Sequence, residues 1–200
     1  MAASFYSLER HGQVSLLRLR SNDGTNRLTL HCVLSLMEIV RQLERQQRPL
    51  VITGNERFFS AGAEVAEIAA LDAASAYEFA KMGQALMDTI ERFAAPVCAA
   101  ISGYCMGGGL DLALACRYRI ASPHAVFGHR GAALGLITGW GGTQRLPRLV
   151  GKARALEMFV AADKIQAREA LRIGLVDLIS DDPVANALQQ LSAHARALAR

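Results

Sequence analysis

The chain has 200 residues, of which 52% are hydrophobic and 20% are charged. These values are typical of an ordinary soluble globular chain, and they predict one domain with a sizeable apolar core. The formal net charge of +4 is far below that of a dedicated nucleic-acid-binding protein, although it suits an anionic, phosphate-bearing substrate.

Strand and helix patterns alternate along the chain. Residues 5–8 and 14–19 lie on either side of Gly12 and predict an opening hairpin. A helix is predicted over residues 30–47, because apolar residues recur there at helical spacing as far as Pro49. Further strands are predicted at residues 50–54, 96–101, 117–121, 125–127 and 175–179. Further helices are predicted at residues 73–93, 108–116, 153–161, 166–173 and 183–200. Repeated strand–helix units indicate an α/β fold.

The cysteines indicate the compartment. All four lie in apolar runs without a Cys-x-x-Cys pair, which predicts buried, reduced thiols and neither a disulfide framework nor a metal site: Cys32, Cys98, Cys105 and Cys116. The first residues lack the pattern of a secretion signal. The longest uncharged stretch, residues 93–110, contains Pro96 and four glycines and does not read as a membrane helix. We therefore expect a cytoplasmic protein with no membrane partner.

Two glycine-rich segments carry the chemistry. They are Phe59-Ser60-Ala61-Gly62-Ala63-Glu64 and the run from Gly103 to Asp111, which contains Gly107-Gly108-Gly109. Each follows a short apolar run and offers backbone N–H groups that no side chain obstructs. A helix that begins at the second segment also directs its unpaired N–H groups and positive dipole end outward. Together the segments predict an oxyanion hole, in which fixed donors stabilise a developing negative charge.

Other interpretations of the glycines are weaker. Three glycines can simply allow tight packing of a helix on a strand. The chain lacks the third glycine of G-x-G-x-x-G, has no G-x-x-x-x-G-K-[ST] and has no serine in G-x-S-x-G. Dinucleotide binding, Walker-type phosphate binding and a hydrolase nucleophile elbow are therefore excluded.

Both segments, together with Leu134-Gly135 and Gly141-Gly142-Thr143-Gln144-Arg145-Leu146-Pro147, resemble the enoyl-CoA hydratase/isomerase (crotonase) family. The resemblance runs from about Val14 to Ile179. It implies a crotonase-like α/β spiral over residues 1–182. Residues 183–200 are expected to start a C-terminal helical segment that is truncated here. The resemblance also implies a homotrimer or a dimer of trimers.

The resemblance assigns roles to individual positions. The N–H groups of Ala63 and Gly108 would hold the oxygen of an acyl-CoA thioester. Coenzyme A would enter as part of the substrate, with no separate cofactor and no metal. Its contacts are expected at Asn26, Ala61, Ala63, Glu64, Val65 and Ala66. The acyl pocket is expected at Gly131, Leu134, Gly139 and Trp140, although Trp140 is equally typical of ordinary core packing.

Asp111 is the candidate catalytic acid, because it lies next to the glycine triplet, from which only Leu110 separates it. Its simpler interpretation is a carboxylate that complements the first turn of a helix. Hydratases of the family carry Glu here and a second Glu twenty residues later, where this chain has Gly131. The family's isomerases also use that second acid, and its aryl dehalogenases use an Asp where this chain has Gly139. His129 is the second candidate, because a near-neutral pKa can replace a carboxylate in proton transfer, although a lone His is often structural.

The predicted function is therefore hydration or isomerisation of an enoyl-CoA with an atypical acid set. Decarboxylation or hydrolysis of a CoA thioester by the same oxyanion hole is an alternative. A rival from another class is a non-catalytic homologue that binds RNA or partners through Arg41, Arg45 and Arg48. The intervening glutamates favour a solvated helix face for these arginines, which makes nucleic acid an unexpected partner. Arg145 and Arg148 are expected to form structural ion pairs.

Overall fold

The structure is a computed structural model that describes residues 5–198. The fold repeats one unit, in which one strand belongs to a large sheet and the next strand belongs to a smaller sheet. The strands are β1 (Tyr6–His11), β2 (Val14–Leu19), β3 (Arg27–Leu28), β4 (Leu50–Thr53), β5 (Phe58–Ser60), β6 (Gly62–Ala63), β7 (Val97–Ile101), β8 (Tyr104–Met106), β9 (Tyr118–Ala121), β10 (Val126–Gly128), β11 (Ile165–Gln166) and β12 (Leu178–Ile179). The helices are α1 (Leu30–Arg45), α2 (Val65–Ala69), α3 (Ala73–Glu91), α4 (Gly108–Ala115), α5 (Gly142–Val150), α6 (Lys152–Ala161), α7 (Ala167–Arg172) and α8 (Pro183–Leu198), with a 3₁₀ turn at Gly131–Leu134.

The sheet orders show the spiral. The large sheet runs β1-β2-β4-β7-β9-β12 and the smaller one β11-β10-β8-β5. The pairs β4/β5, β7/β8 and β9/β10 each contribute one strand to each sheet, and the chain then enters α3, α4 or α5. All neighbouring strands of the large sheet are parallel except β1 and β2. The spiral α/β fold that the resemblance implied is confirmed.

Apolar side chains cover both faces of the large sheet, as the continuous apolar runs of its central strands require. Helices α1, α3 and α4 share the main core with one face. Helix α8 packs on the other face and buries Ala187 and Leu191 against residues of β2, β4, β7 and β9. The division of the chain at residues 182 and 183 stays a prediction. All four cysteines are buried, as predicted.

The structure corrects several predicted elements. Five strands of two or three residues and helix α2 were not predicted, because elements this short show no periodicity. Helix α5 was missed because it begins on glycines and contains Pro147, a residue that normally ends a helix. In the predicted strand 175–179 only Leu178–Ile179 pairs with β9, since the Leu175 N–H donates to the Ala170 carbonyl and closes α7. No helix within residues 5–198 is long and apolar enough to cross a membrane.

Candidate active site

The two glycine-rich segments meet in the structure. Strand β6 pairs in parallel with β3 and thereby fixes the backbone of Ala63, while α4 begins at Gly108. A Cβ atom placed on Gly108 would lie 3.4 Å from the Ala63 nitrogen, and one on Gly62 would lie 3.1 Å from the Gly108 nitrogen. The Gly108 N–H belongs to the first turn of α4, where N–H groups have no partner within the helix. The two backbone nitrogens predicted to act together are therefore neighbours.

Glycine is required at the contact between the segments. Gly62 and Gly107 adopt φ angles of +92° and +51°, which strain other residues. A Cβ on Gly62 would also lie 2.6 Å from the Met106 carbonyl oxygen, a backbone atom that cannot easily give way. The glycines thus permit the tight packing that brings the two backbone donors together, and an oxyanion hole at this point stays a prediction.

A cavity of about 300 Å³ opens beside these nitrogens. Its walls are mainly apolar, which is typical of small-molecule ligand sites. Most of the predicted site residues line it: Ala61, Ala63, Val65, Gly108, Asp111, His129, Gly131, Leu134, Gly139 and Trp140. Sequence reasoning missed other lining residues, among them Phe79, Leu136, Ile137 and Thr138. No motif marked these residues, because they reach the cavity from α3 and from the segment before α5.

Three of the predicted coenzyme A contacts lie outside the cavity wall. The Asn26 side chain is only 2% exposed, and its Nδ2 donates to the carbonyls of Phe58 and Phe59. Asn26 therefore anchors β5 instead of facing the cavity. The Glu64 side chain accepts from the Ala66 N–H at the start of α2, and it also approaches Arg27. Because Asn26, Glu64 and Ala66 do not line the cavity, a contact of any of them with coenzyme A stays a prediction.

Asp111 and His129 are brought together at the cavity wall. Asp111 is 1% exposed and His129 3% exposed, and Asp111 Oδ1 lies 3.4 Å from His129 Nε2. Neither of these two atoms has a hydrogen-bond partner in the structure. The other carboxyl oxygen, Oδ2, accepts a short hydrogen bond from the Thr138 hydroxyl. Oδ2 is thus anchored by a hydrogen bond, whereas Oδ1 is buried without one.

Burial moves both side chains toward their uncharged forms. It raises the pKa of Asp111 to about 7, against the opposing effects of the Thr138 hydrogen bond and the Arg145 charge. It lowers the pKa of His129 to about 4. The 3.4 Å approach therefore joins a neutral imidazole to a carboxyl group that is about half ionised near pH 7, and it is not an ion pair between two charged groups. A carboxyl group with a pKa near the operating pH can both give and take a proton, as general acid–base chemistry requires.

Gly131 stands where the family's second acid is expected, and backbone atoms fill the space beside it. Gly131 starts the 3₁₀ turn that follows His129 and Arg130, and its carbonyl accepts from the Leu136 N–H at 2.8 Å. A Cβ on Gly131 would lie 2.8 Å from the Leu136 carbonyl oxygen. The backbone around Gly131 therefore leaves no room for a side chain, which makes the missing carboxylate a property of this segment's conformation as well as of its sequence.

Trp140 lines the cavity and packs against residues of helices α3 and α4. Its Nε1 donates to the Phe79 carbonyl at 3.2 Å, and its ring lies 5.2 Å from that of Phe79. Cβ atoms placed on Gly83 and Gly108 would lie within 2.1 and 2.6 Å of the indole. Trp140 is therefore both a core residue, at 3% exposure, and part of the cavity wall, and its role in an acyl pocket stays a prediction.

A second cavity, of about 390 Å³, lies among α3, α5 and α8, away from the glycine segments. Arginines line it, and the most buried of them are already paired. Arg145 binds Asp88 and Glu91 at 2.6 and 2.7 Å, and Arg119 binds Asp177. Structural pairing of Arg145 is as predicted. The smaller cavity remains the candidate site, because it contains the backbone donors and the buried acid.

The predicted arginine stripe is interrupted. Helix α1 ends at Arg45, and Gln47 adopts a φ of +50°, so Arg48 lies beyond the helix and is not part of its face. Among residues 5–198, no three His, Cys, Asp or Glu side chains are close enough together to hold a metal ion.

The fold is the crotonase fold, and solved structures of that class superpose closely on this chain. Pseudomonas aeruginosa DspI superposes with a TM-score of 0.92 at 35% identity, covering 98% of this chain and 82% of that one. An enoyl-CoA hydratase from Thermoplasma volcanium GSS1 gives a TM-score of 0.91 at 35% identity, covering 96% and 77% of the two chains.

The chain belongs to the enoyl-CoA hydratase/isomerase family, whose sequence model matches residues 9–200. A crotonyl-CoA hydratase from Syntrophomonas wolfei is 38% identical over 182 residues, which are 90% of this chain and 70% of the relative. A probable enoyl-CoA hydratase from Bacillus subtilis is 42% identical over 164 residues, 80% of this chain and 64% of the relative. The chain thus spans about two thirds of these curated relatives.

Proposed function

We propose that the cavity binds the acyl group of a CoA thioester and that the N–H groups of Ala63 and Gly108 stabilise the enolate formed from it. The observation that carries the proposal is the meeting of these two nitrogens beside a buried acid, Asp111, in one apolar cavity. Donors fixed in place before the reaction stabilise a developing oxyanion, and the loss of one typically costs a factor of about 10²–10³ in rate. The names of the relatives support an enoyl-CoA as the substrate.

Asp111 is proposed to move the proton in either reaction. In hydration it takes a proton from water while the oxygen bonds to Cβ and the electron pair moves onto the thioester oxygen. It then returns that proton to Cα as the enolate collapses. In isomerisation it removes a proton from one carbon and returns it to another. One carboxyl group suffices for both sequences, and a pKa of about 7 makes both of its protonation states accessible near neutral pH.

The test is solvent-deuterium exchange at Cα of butyryl-CoA, together with hydration of crotonyl-CoA. We expect measurable exchange that falls at least about tenfold in Asp111→Asn, the lower end for loss of a general base, and falls again when His129 is replaced. The matched control is Asp181→Asn, at an exposed position, which should exchange like the wild type. Equal exchange in wild type and Asp111→Asn would leave Asp111 as a charge at a helix terminus.

Decarboxylation of a 2-carboxyacyl-CoA is the second candidate, and the closed position at Gly131 favours it. Loss of CO₂ leaves its electron pair on the same enolate, so the reaction needs the oxyanion hole but no base to remove the Cα proton. Methylmalonyl-CoA distinguishes the two candidates. Release of CO₂ from it without crotonyl-CoA hydration would favour the decarboxylase.

The RNA-binding rival predicts an affinity that weakens steeply with salt and disappears in the triple variant Arg41/Arg45/Arg48→Ala. We expect no such response, since Arg48 lies outside α1. Assembly into trimers and a cytoplasmic location also stay predictions. Leu156 and Val160, both more than half exposed and one turn apart on α6, support an assembly surface, which sedimentation would test.

A further inference from the structure

Thr138 occupies an unusual place in the segment that links the 3₁₀ turn to α5. Its neighbours are strongly exposed, with Ile137 at 71% and Leu136 at 39%. Thr138 itself is half-buried, and its side chain turns toward the cavity. One residue later the Gly139 carbonyl accepts from Gln84 Nε2 at 2.7 Å. The segment therefore touches the body of the protein at two adjacent polar contacts, and one of them is made to the candidate catalytic acid.

The Thr138 contact determines how the Asp111 carboxyl group is oriented. The Thr138 hydroxyl donates to Oδ2, while Oδ1 has no hydrogen-bond partner and faces His129 Nε2 at 3.4 Å. A Cβ on Gly142 would lie 2.2 Å from Oδ1, so the start of α5 closes the space beside that oxygen. The terminal torsion of an aspartate is broad, and a fixed partner on one oxygen is what restricts it.

We propose that Thr138 is a positioning residue, whose hydrogen bond to Oδ2 fixes the orientation in which the Asp111 carboxyl group exchanges protons with the substrate. This inference rests on the proposed function of Asp111. A site with two acids can divide orientation and proton transfer between them, whereas this chain has Gly131 at the second position. Thr138 supplies the orientation from a neighbouring segment, since a catalytic group held close to its productive geometry works far faster than a free one.

Other charged and titratable groups also face Asp111. They are His129 after β10, Arg145 on α5 and Cys105 on β8. Removing the Thr138 hydroxyl leaves all three in place. It takes away a donor that favours the ionised carboxylate, so the pKa of Asp111 rises further. A rise in the pKa of Asp111 on loss of the Thr138 hydroxyl can thus be assigned to Thr138 and not to His129, Arg145 or Cys105.

The test compares Thr138→Val, which keeps the shape but removes the hydroxyl, with Thr138→Ser, which keeps the hydroxyl. We expect Cα exchange on butyryl-CoA to fall at least about tenfold in Thr138→Val and to recover largely in Thr138→Ser. The acid limb of the exchange pH profile should move upward by about one pH unit in Thr138→Val alone. Thr89→Val is the matched control, because the Thr89 hydroxyl bonds within α3 to Ala85 and the residue does not line the cavity.

A second readout needs no turnover. The ¹³C-carboxyl resonance of Asp111, assigned by its absence in Asp111→Asn, should titrate about one pH unit higher in Thr138→Val than in wild type and Thr138→Ser. An unchanged titration and pH profile in Thr138→Val, or identical behaviour of the Ser and Val variants, would overturn the proposal. If the wild type exchanges no acyl-CoA at all, the proposed function fails, and the NMR titration still decides whether Thr138 controls Asp111.

Discussion

The two halves of the cavity are built from different parts of the molecule. The backbone half consists of Ala63 on β6 and Gly108 at the start of α4, and both belong to regular elements packed on the core. The acid half places Asp111 on the same helix, but its neighbours His129 and Thr138, like Gly131, come from the connection between β10 and α5. Much of that connection is exposed, with Leu134 at 60%.

This difference separates what is general from what is specific in the proposed chemistry. Enolate stabilisation needs only backbone donors, and the sheets and glycines hold these regardless of the neighbouring side chains. The choice of proton route depends on side chains from an exposed connection, where substitutions disturb the core least. We therefore expect changes in the backbone half to abolish every reaction, and changes in the acid half to alter rate, pH dependence or reaction type.

The largest effect is expected from Gly108→Ala. The new methyl group would lie 3.4 Å from the Ala63 nitrogen and 2.6 Å from the Trp140 ring, so it narrows the space between the two donors. Turnover of crotonyl-CoA should fall by about 10²–10³-fold, as when an oxyanion-hole donor is lost. Gly83→Ala is the control, because it presses on Trp140 from α3 without placing a methyl group between the donors. Near-normal turnover in Gly108→Ala would place the oxyanion elsewhere.

The acid half should reveal itself in the pH dependence of stability. The pKa of Asp111 is about 7 in the native state, against an ordinary value of 3.8. Its contribution to the unfolding free energy therefore falls as pH rises from about 4 to 7. The pKa of His129 is about 4 in the native state, against an ordinary value of 6.5. Its contribution to the unfolding free energy therefore rises between about pH 4 and 6.5. Each contribution amounts to about 3–4 kcal/mol at most, and the two largely cancel in the wild type.

Single substitutions should therefore expose opposite slopes in urea unfolding measured between pH 4 and 7. In His129→Gln the unfolding free energy should fall with rising pH, because Asp111 acts alone. In Asp111→Asn it should rise to about pH 6.5, because His129 acts alone. Curves that run parallel to the wild type would show that the two side chains are not buried together as described.

The smallest effects are expected from substitutions at Gly131, which test whether a second acid can be introduced at this position. Gly131→Ala should lower the unfolding free energy by about 1–3 kcal/mol, because its Cβ meets the Leu136 carbonyl oxygen at 2.8 Å. Gly131→Glu should be no more stable and should not increase crotonyl-CoA hydration. The control is Gly139→Ala in the same segment, whose Cβ would lie 3.7 Å from Ala80, an ordinary contact, and should cost less than about 0.5 kcal/mol. A gain of hydration in Gly131→Glu would mean that the segment opens easily.

The sequence by itself determined the α/β class, the opening hairpin, the long helices and the family. These follow from local information, since apolar periodicity marks α1 and α3, and the glycine triplet marks the start of α4. The sequence also identified the two glycine-rich segments, because a position that needs glycine can be recognised from the residue itself.

Only the tertiary structure decided how the acid half is assembled. That Thr138 reaches Asp111, 27 residues away, that Asn26 points into the core, and that Arg48 lies outside α1 depend on where the chain folds back. The closed space at Gly131 and the shifted pKa values of Asp111 and His129 depend on burial by distant segments. Local sequence patterns carry no record of such long-range packing, which is why Asp111 and His129 could be named as candidates but their arrangement could not be predicted.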